Sequence, residues 1–168
     1  TDYVFNGDAQ KPYTEFDMPN GGINVYGQSK WAGEQAIRTH CPNHVIARIS
    51  WLYGPGGPSF VHTMLHLADN SHNCLNVVDD QRGNPTSTLA VAKALREILL
   101  RPELVGTFHL TCEGEASWYE FACKIFELAS KKQEVRACKS DEYKVLARRP
   151  ANSRLEKKML RLCGLPPM

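Results

Sequence analysis

The segment Asn24-Val-Tyr-Gly-Gln-Ser-Lys30 follows a loop rich in glycine, proline, aspartate and asparagine. From Val25 the sequence predicts a helix that ends near Thr39, because Pro42 cannot continue a helix. Residues 44–50 then form a compact, mostly apolar run that is typical of a buried strand. A helix followed at once by a buried strand is the repeating unit of α/β proteins.

The same alternation continues outward along the chain. Predicted strands cover residues 75–78, 106–111 and 134–138, and a strand end lies at residues 1–5. Predicted helices begin after Ser59, after Ser87 or Thr88, and at the capping-box pattern Ser117-Trp-Tyr-Glu120. A last helix covers residues 153–163. Because strands separated by helices pair in parallel, we predict an α/β fold with a mainly parallel sheet.

The composition is that of an ordinary folded domain, with 168 residues, 42% hydrophobic and 23% charged, and a net charge of +2. This near-balance argues against a dedicated nucleic-acid-binding protein, which would concentrate basic charge. No apolar run is long enough to span a membrane. The six cysteines form no Cys-x-x-Cys pair, so we expect free, mostly buried thiols and a cytoplasmic location.

Tyr26 and Lys30 are four residues apart at the start of the first helix, so both side chains project from one face. An ammonium group close to a phenol favours the phenolate. Such a pair can act as a general acid that gives a proton to a carbonyl oxygen while a hydride reaches the carbon. The spacing alone is a weak signal in a chain with six tyrosines. The preceding loop, and Gly27 and Ser29 between the partners, favour this interpretation over an incidental pair on a solvated helix face.

Further positions are candidates for ligand contacts. Thr1 lies at the predicted end of a strand, where open α/β sheets bind ligands, although on position alone an ordinary strand threonine is the simpler interpretation. Trp51 follows the strand at 44–50 and forms either a pocket wall or part of the core. Arg148-Arg-Pro150 either clamps a diphosphate through bidentate hydrogen bonds or is a solvated surface pair.

Metal-binding patterns are weak. His62 and His66 share a helix face but lack the glutamate of a metalloprotease motif. His40, Cys41 and His44 lack the spacing of a zinc site. We therefore assign no metal ligands from the residues, and no glycine-rich phosphate-binding motif lies within the chain.

The segments that carry a family resemblance are Thr1-Asp-Tyr-Val-Phe5, Pro12-Tyr13 with Glu15 and Asp17, Asn24-Val-Tyr-Gly-Gln-Ser-Lys30 with Gly33-Glu34, Ser50-Trp-Leu-Tyr-Gly54, Val78-Asp-Asp-Gln81 with Gly83 and Pro85-Thr86, Ser117-Trp-Tyr-Glu-Phe121, and Arg148-Arg-Pro-Ala-Asn-Ser153. In this order they closely resemble the bacterial dTDP-4-dehydrorhamnose reductases, which are extended short-chain dehydrogenases/reductases. One departure is Asn20-Gly-Gly-Ile23, which replaces the family's usual Pro-Leu pair.

The resemblance implies the C-terminal part of a Rossmann-type parallel sheet together with a smaller α/β substrate-binding portion. Residues 1–54 would complete the dinucleotide-binding portion, and residues 55–168 would form the substrate-binding portion. The family's glycine-rich cofactor loop would precede Thr1. We therefore expect a fragment that is inactive alone.

Roles follow from the same resemblance. Tyr26 would be the proton donor, Lys30 its helper, and Thr1 the hydroxyl of the catalytic triad. Tyr26 and Lys30 would also contact the cofactor. The implied substrate-binding residues are Thr1, Asp2, Trp51 and Arg149.

The implied reaction is the reduction of dTDP-4-dehydro-L-rhamnose by NADPH or NADH to dTDP-L-rhamnose, a step of dTDP-rhamnose biosynthesis for envelope polysaccharide. The partner would be a small nucleotide sugar, with neither nucleic acid nor membrane. A homodimer of the full-length protein and an Mg²⁺ ion that aids assembly are compatible with the family, although no ligand set for a metal is visible.

Two other interpretations of the function stay open. A sugar-nucleotide epimerase or dehydratase would share the superfamily, but Trp51 favours the reductase because related epimerases tend to carry an asparagine in that turn. A non-catalytic regulatory or sugar-nucleotide-binding relative would keep the fold, but it would not need Thr1, Tyr26 and Lys30 together.

Overall fold

The structure, a computed structural model, describes residues 1–70, 73–142 and 146–168. The helices are α1 (Val25–His40), α2 (Phe60–Asn70), α3 (Thr88–Leu99), α4 (Trp118–Leu128) and α5 (Lys158–Leu162). The strands are β1 (Val45–Arg48), β2 (Leu52–Tyr53), β3 (Leu75–Val78), β4 (Arg82–Gly83), β5 (Thr86–Ser87), β6 (Gly106–His109), β7 (Ala116–Ser117), β8 (Val135–Cys138) and β9 (Asn152–Ser153). None of the helices within these ranges is long and apolar enough to cross a membrane.

The strands pair mainly in parallel, which confirms the α/β prediction. β1 pairs with β6, β2 with β5 and β3 with β8, all in parallel. β4 lies between β7, which is antiparallel to it, and β9, which is parallel. Since β1 and β6 come from different halves of the chain, the sheet of residues 1–54 is completed from residues 55–168. The division at residue 54 stays a prediction.

Hydrophobic clusters hold the helices against these strands. One cluster lies between α2, β3 and α4, a second between α3, β6 and α5, and a third beneath the first residues of the chain. Their buried members are Met64, Val77, Ala122, Ile125 and Phe126 in the first, Ile98, Phe108, Leu110, Leu160 and Leu165 in the second, and Val4, Phe5, Tyr13 and Leu155 in the third.

The helix starts follow the sequence signals. The Asn24 side chain caps α1 by accepting a hydrogen bond from the amide of Gly27 at 2.9 Å. Ser117 and Glu120 form the predicted capping box of α4, each side chain accepting from the other's amide. Ser87 precedes α3 as predicted, but its side chain makes no capping hydrogen bond.

The prediction of a strand end at residues 1–5 is wrong. Asp2–Val4 is a 3₁₀ helix, closed by the amide of Phe5 donating to the Asp2 carbonyl at 3.1 Å. The Thr1 hydroxyl caps this turn by accepting from the amide of Tyr3 at 3.3 Å. A short β-branched and aromatic run thus forms a turn, in which the Thr1 hydroxyl and the Asp2 carbonyl accept hydrogen bonds from the amides of Tyr3 and Phe5.

The prediction of a helix over residues 153–163 is wrong in its first half. The amide of Tyr13 donates to the Arg154 carbonyl, and the amide of Glu156 donates to the Tyr13 carbonyl. The Leu155 amide donates to the side chain of Asn84. These partners hold the backbone extended, and the helix forms only at α5, which Gly164 follows with a φ of 63°.

All six cysteines are free, as expected. Cys41 is exposed and the other five are half-buried, so the expectation of mostly buried thiols is wrong. Cys74, Cys138 and Cys163 lie at or next to the ends of short elements, where neighbouring side chains cover them only in part.

A buried ion pair joins α1 to β1. Arg48 is 0% exposed, and its Nε and Nη2 donate to the two carboxylate oxygens of Glu34 at 2.9 and 2.7 Å. Its remaining nitrogen lies 3.3 Å from Nε2 of His109 on β6. His109 Nδ1 lies 2.9 Å from the Glu156 carbonyl, so it carries the proton. Burial, with the charge of Arg48 added, lowers the pKa of His109 to about 3.

We expect Glu34→Gln to destabilise the fold by about 3–5 kcal/mol, because it leaves a buried guanidinium without its counter-charge. Urea titration would give the free energy of unfolding. Glu97→Gln is the matched control, since Glu97 pairs with Arg96 on the exposed face of α3 and its loss should cost under about 1 kcal/mol. Equal losses in the two variants would contradict the role given to the buried pair.

We expect His109 to make the fold acid-sensitive. An unfolded histidine takes up a proton below about pH 6.5, whereas folded His109 stays neutral down to about 3. Protonation therefore stabilises the unfolded state relative to the folded state as the pH falls through this window. Between pH 7.5 and 5, His109 should lower the free energy of unfolding by about 2 kcal/mol. His109→Gln should lose that much less stability over the same range in urea titrations. An identical pH dependence in both proteins would refute the assignment.

Candidate active site

Tyr26 lies in the first turn of α1 and is 51% exposed. The Lys30 ammonium lies over its ring, 5.7 Å from the centroid, so the predicted pair is adjacent in space. The ring of Tyr3 meets Tyr26 edge-on with centroids 5.7 Å apart. The phenol is therefore held between a lysine and a second aromatic ring, and it remains accessible.

Glycines allow the start of α1 to press against the 3₁₀ helix. A Cβ on Gly27 would lie 2.1 Å from the carbonyl oxygen of Tyr3, and one on Gly22 would lie 1.9 Å from the same atom. Gly22 also has a φ of 67°, which favours glycine. The family departure at residues 20–23 is thus a tight loop folded onto Tyr3.

Asp2 is buried beside Thr1. The Thr1 hydroxyl donates to Oδ1 of Asp2 at 3.0 Å, and the Asp2 amide donates to the Ile49 carbonyl at 3.1 Å, just beyond β1. Oδ2 of Asp2 is buried and has no hydrogen-bond partner among the described residues. Burial raises the pKa of this carboxyl, and the hydroxyls of Ser153 and Thr1 oppose the shift. A buried, unsatisfied carboxylate oxygen is costly to the fold and marks a place for a ligand donor.

Trp51 is neither a plain core residue nor freely exposed. It is half-buried, and its backbone has a φ of 47°, a conformation that is uncommon for a bulky residue. The Thr86 amide donates to its carbonyl at 3.1 Å and holds this turn. Its indole stacks on the ring of Trp118.

Arg149 is exposed, and it lines the same space as Tyr26 of α1. The link is Asn24, whose side chain caps α1 and also donates to the Arg148 carbonyl at 2.9 Å. One amide side chain thus ties the helix that carries Tyr26 to the arginine segment.

These side chains converge on one cleft of about 490 Å³. Its walls include five of the six candidate residues, Thr1, Asp2, Tyr26, Trp51 and Arg149. Lys30 is outside the lining, and its ammonium lies over the ring of Tyr26. A phenol, a hydroxyl, a carboxylate, an indole and a guanidinium thus face a single space.

Two neighbouring spaces share walls with this cleft. A groove of about 740 Å³ shares Tyr3, Tyr26 and Arg149 with it, and a cavity of about 220 Å³ shares Trp118 and Arg149. The larger groove combines exposed apolar side chains at Ile23 and Val25 with the arginines. That combination fits a flat ring carrying phosphate groups.

Sequence reasoning missed the part that Trp118 and Gln81 take in the site. Neither residue was among the predicted site residues. Trp118 lines the 490 Å³ cleft, and its indole nitrogen donates to Oε1 of Gln81 at 3.2 Å. The available signal was the presence of both residues in segments that carry the family resemblance.

The divalent metal gains no support. No group of three or more His, Cys, Asp or Glu side chains in the described part of the chain is arranged to hold a metal ion. His62 Nδ1 is instead bound to the Gly57 carbonyl, and His44 Nδ1 to the Cys41 carbonyl.

Known proteins resemble this chain over most of its length. The family model described as the RmlD substrate binding domain matches residues 1–167. A dTDP-4-dehydrorhamnose reductase from Sinorhizobium fredii is 46% identical over 165 residues, which cover 92% of this chain and 55% of that protein. The chain thus spans about half the length of this curated relative.

Solved structures also resemble this chain. A dTDP-4-dehydrorhamnose reductase from Bacillus anthracis in complex with NADP superposes with a TM-score of 0.95 at 40% identity, over 99% of this chain and 58% of that one. A UDP-glucuronic acid 4-epimerase variant from Bacillus cereus reaches a TM-score of 0.82 at 16% identity, over 100% of this chain and 55% of that one, a likeness of fold alone. The chain therefore belongs to the RmlD substrate binding domain family, as its resemblance to the dTDP-4-dehydrorhamnose reductases predicts.

Proposed function

We propose that the protein containing this chain reduces the C4 ketone of dTDP-4-dehydro-L-rhamnose with NADPH or NADH and forms dTDP-L-rhamnose. The observation that carries the proposal is the convergence of Thr1, Asp2, Tyr26, Trp51 and Arg149 on one cleft. The names of the similar proteins support the substrate. In this proposal residues 1–54 complete a dinucleotide-binding portion and residues 55–168 bind the nucleotide sugar.

Tyr26 is the proton donor of the proposed reaction. A bound nicotinamide cofactor would supply a hydride to C4, and the Tyr26 phenol would give its proton to O4, so that the ketone becomes a secondary alcohol. The Lys30 ammonium over the ring stabilises the phenolate that remains until solvent returns the proton. The Thr1 hydroxyl turns from Asp2 to donate a second hydrogen bond to O4.

The remaining residues hold the nucleotide sugar. Oδ2 of Asp2 accepts a hydrogen bond from a sugar hydroxyl, which would satisfy its buried lone pairs. The indole of Trp51 covers an apolar side of the sugar ring. Arg149 lies where the 490 Å³ cleft meets the 220 Å³ cavity, and its guanidinium binds the diphosphate.

In this proposal Tyr26 and Lys30 would hold the cofactor. The NADP complex of the Bacillus anthracis relative supports NADPH as the first cofactor to test. A homodimer of the full-length protein, a cytoplasmic location and the absence of nucleic-acid partners stay predictions. The epimerase or dehydratase reading has a likeness of fold behind it, and Trp51 still favours the reductase.

In the full-length protein, we expect Tyr26→Phe to lower kcat by about 10²–10⁴-fold, because proton donation to O4 is lost. Binding of dTDP-L-rhamnose, measured by calorimetry, should stay within about threefold because the ring remains. Tyr53→Phe is the matched control, since Tyr53 does not line the cleft, and it should keep full activity. Unchanged turnover by Tyr26→Phe would refute the mechanism.

We expect Asp2→Asn to raise the KM for the nucleotide sugar about tenfold, because an amide cannot offer both oxygens as acceptors. The KM for NADPH should change by less than about twofold, since the carboxylate faces the sugar. Asp141→Asn, an exposed site, provides the control. A rise in the KM for NADPH alone would show that Asp2 serves the cofactor instead.

A further inference from the structure

Trp118 lies face to face with Trp51. The two ring centroids are 3.6 Å apart and the planes are inclined by 8°. A parallel stack this close leaves no space for a ligand ring between the two indoles. Trp118 therefore covers one face of Trp51, and what remains of the Trp51 indole faces the 490 Å³ cleft.

A second contact on Trp51 comes from Gly83. A Cβ at Gly83 would lie 2.4 Å from Cε2 and 2.5 Å from Nε1 of the indole, so any larger residue would displace the ring. Gly83 cannot easily retreat, because β4 pairs it with Ala116 on one side and Ser153 on the other. The backbone of a three-stranded sheet thus limits the position of the indole.

Trp118 is itself fixed by hydrogen bonds. Its Nε1 donates to Oε1 of Gln81 at 3.2 Å, and Nε2 of the buried Gln81 donates to the Ser140 hydroxyl at 2.9 Å. Ser140 in turn donates to the carboxylate of Asp80. Phe60 packs at an inclined angle against Trp118, with centroids 4.6 Å apart. The plane on which Trp51 rests is therefore rigid.

The backbone of Trp51 shows that this position is imposed on it. A φ of 47° is unfavourable for a tryptophan and persists only where the surroundings over-determine the conformation. Helix packing or core filling would not require an indole in a left-handed turn. The contacts from Trp118 and Gly83, with the hydrogen bond from Thr86, supply that constraint.

We infer that Trp118 and Gly83 are positioning residues that clamp the indole of Trp51 as one wall of the cleft that Tyr26 also lines. This inference rests on the proposed function. A fixed wall sets how deeply the sugar ring enters, and so whether its C4 ketone reaches Tyr26. Neither residue needs to touch the substrate to have this effect.

The test uses the full-length protein and two readouts. Two indoles stacked this closely couple excitonically. The difference between the far-ultraviolet circular dichroism spectra of the wild type and Trp118→Leu should therefore show a couplet. Trp118→Leu should also raise the KM for dTDP-4-dehydro-L-rhamnose, and the Kd for dTDP-L-rhamnose, about tenfold. The KM for NADPH should change less than about twofold, because the clamp contacts only the sugar side.

Trp118→Phe is the conservative variant. It keeps an aromatic face against Trp51, so the KM should return to within about twofold of wild type although the couplet stays lost. Trp31→Phe is the matched control, because Trp31 is the third tryptophan of the chain and packs on the cluster around Val4 and Phe5. It should leave both the couplet and the KM unchanged.

The outcomes separate the two proposals. If Trp118→Leu loses the couplet but keeps its KM and Kd within twofold, the clamp is refuted. If that variant does not fold, Gly83→Ala must reproduce the tenfold rise, and failure to do so also refutes it. If the unsubstituted protein binds dTDP-L-rhamnose but reduces no ketone, the reductase proposal fails and the Kd series still decides the clamp. If it binds no nucleotide sugar, both are wrong.

Discussion

Arg48 is completely buried, and its guanidinium donates two hydrogen bonds to the carboxylate of Glu34, which neutralises its charge. A buried guanidinium without this partner would be strongly destabilising, so α1 must lie against β1 in the register that joins the two residues. Tyr26 is eight residues before Glu34, about 12 Å along the same helix. Trp51 is three residues beyond Arg48. One ion pair thus holds α1, which carries Tyr26, against β1, which precedes Trp51.

Close backbone approaches complete that geometry. The first turn of α1 rests on the carbonyl of Tyr3 through Gly22 and Gly27, and β4 rests on the indole of Trp51 through Gly83. Each contact works because a glycine has no Cβ. These close approaches limit where the start of α1 and the indole of Trp51 can lie. The arginine segment joins this frame through the capping side chain of Asn24.

The cleft is lined by polar side chains where the ketone would be reduced and by aromatic side chains where the sugar ring would be positioned. On one side, a carboxylate oxygen of Asp2 lies beside the Thr1 hydroxyl without a hydrogen bond from the described residues. Such an oxygen destabilises the fold by itself, and a hydroxyl group of a ligand could satisfy it. On the other side the stacked indoles of Trp51 and Trp118 make a firm wall.

The sequence by itself determined the α/β class, α1 with its adjacent Tyr26 and Lys30, and the capping boundary of α4, because these depend on local periodicity and on side chains within one turn. Ordered motifs along the chain also identified the family. The 3₁₀ turn at Asp2–Val4, the extended course of residues 153–157 and the Trp51–Trp118 stack were decided only by tertiary structure. Their backbone and ring partners are dozens of residues away or depend on a cap that competes with a strand. No local pattern records which distant group will satisfy a given amide, carbonyl or ring face.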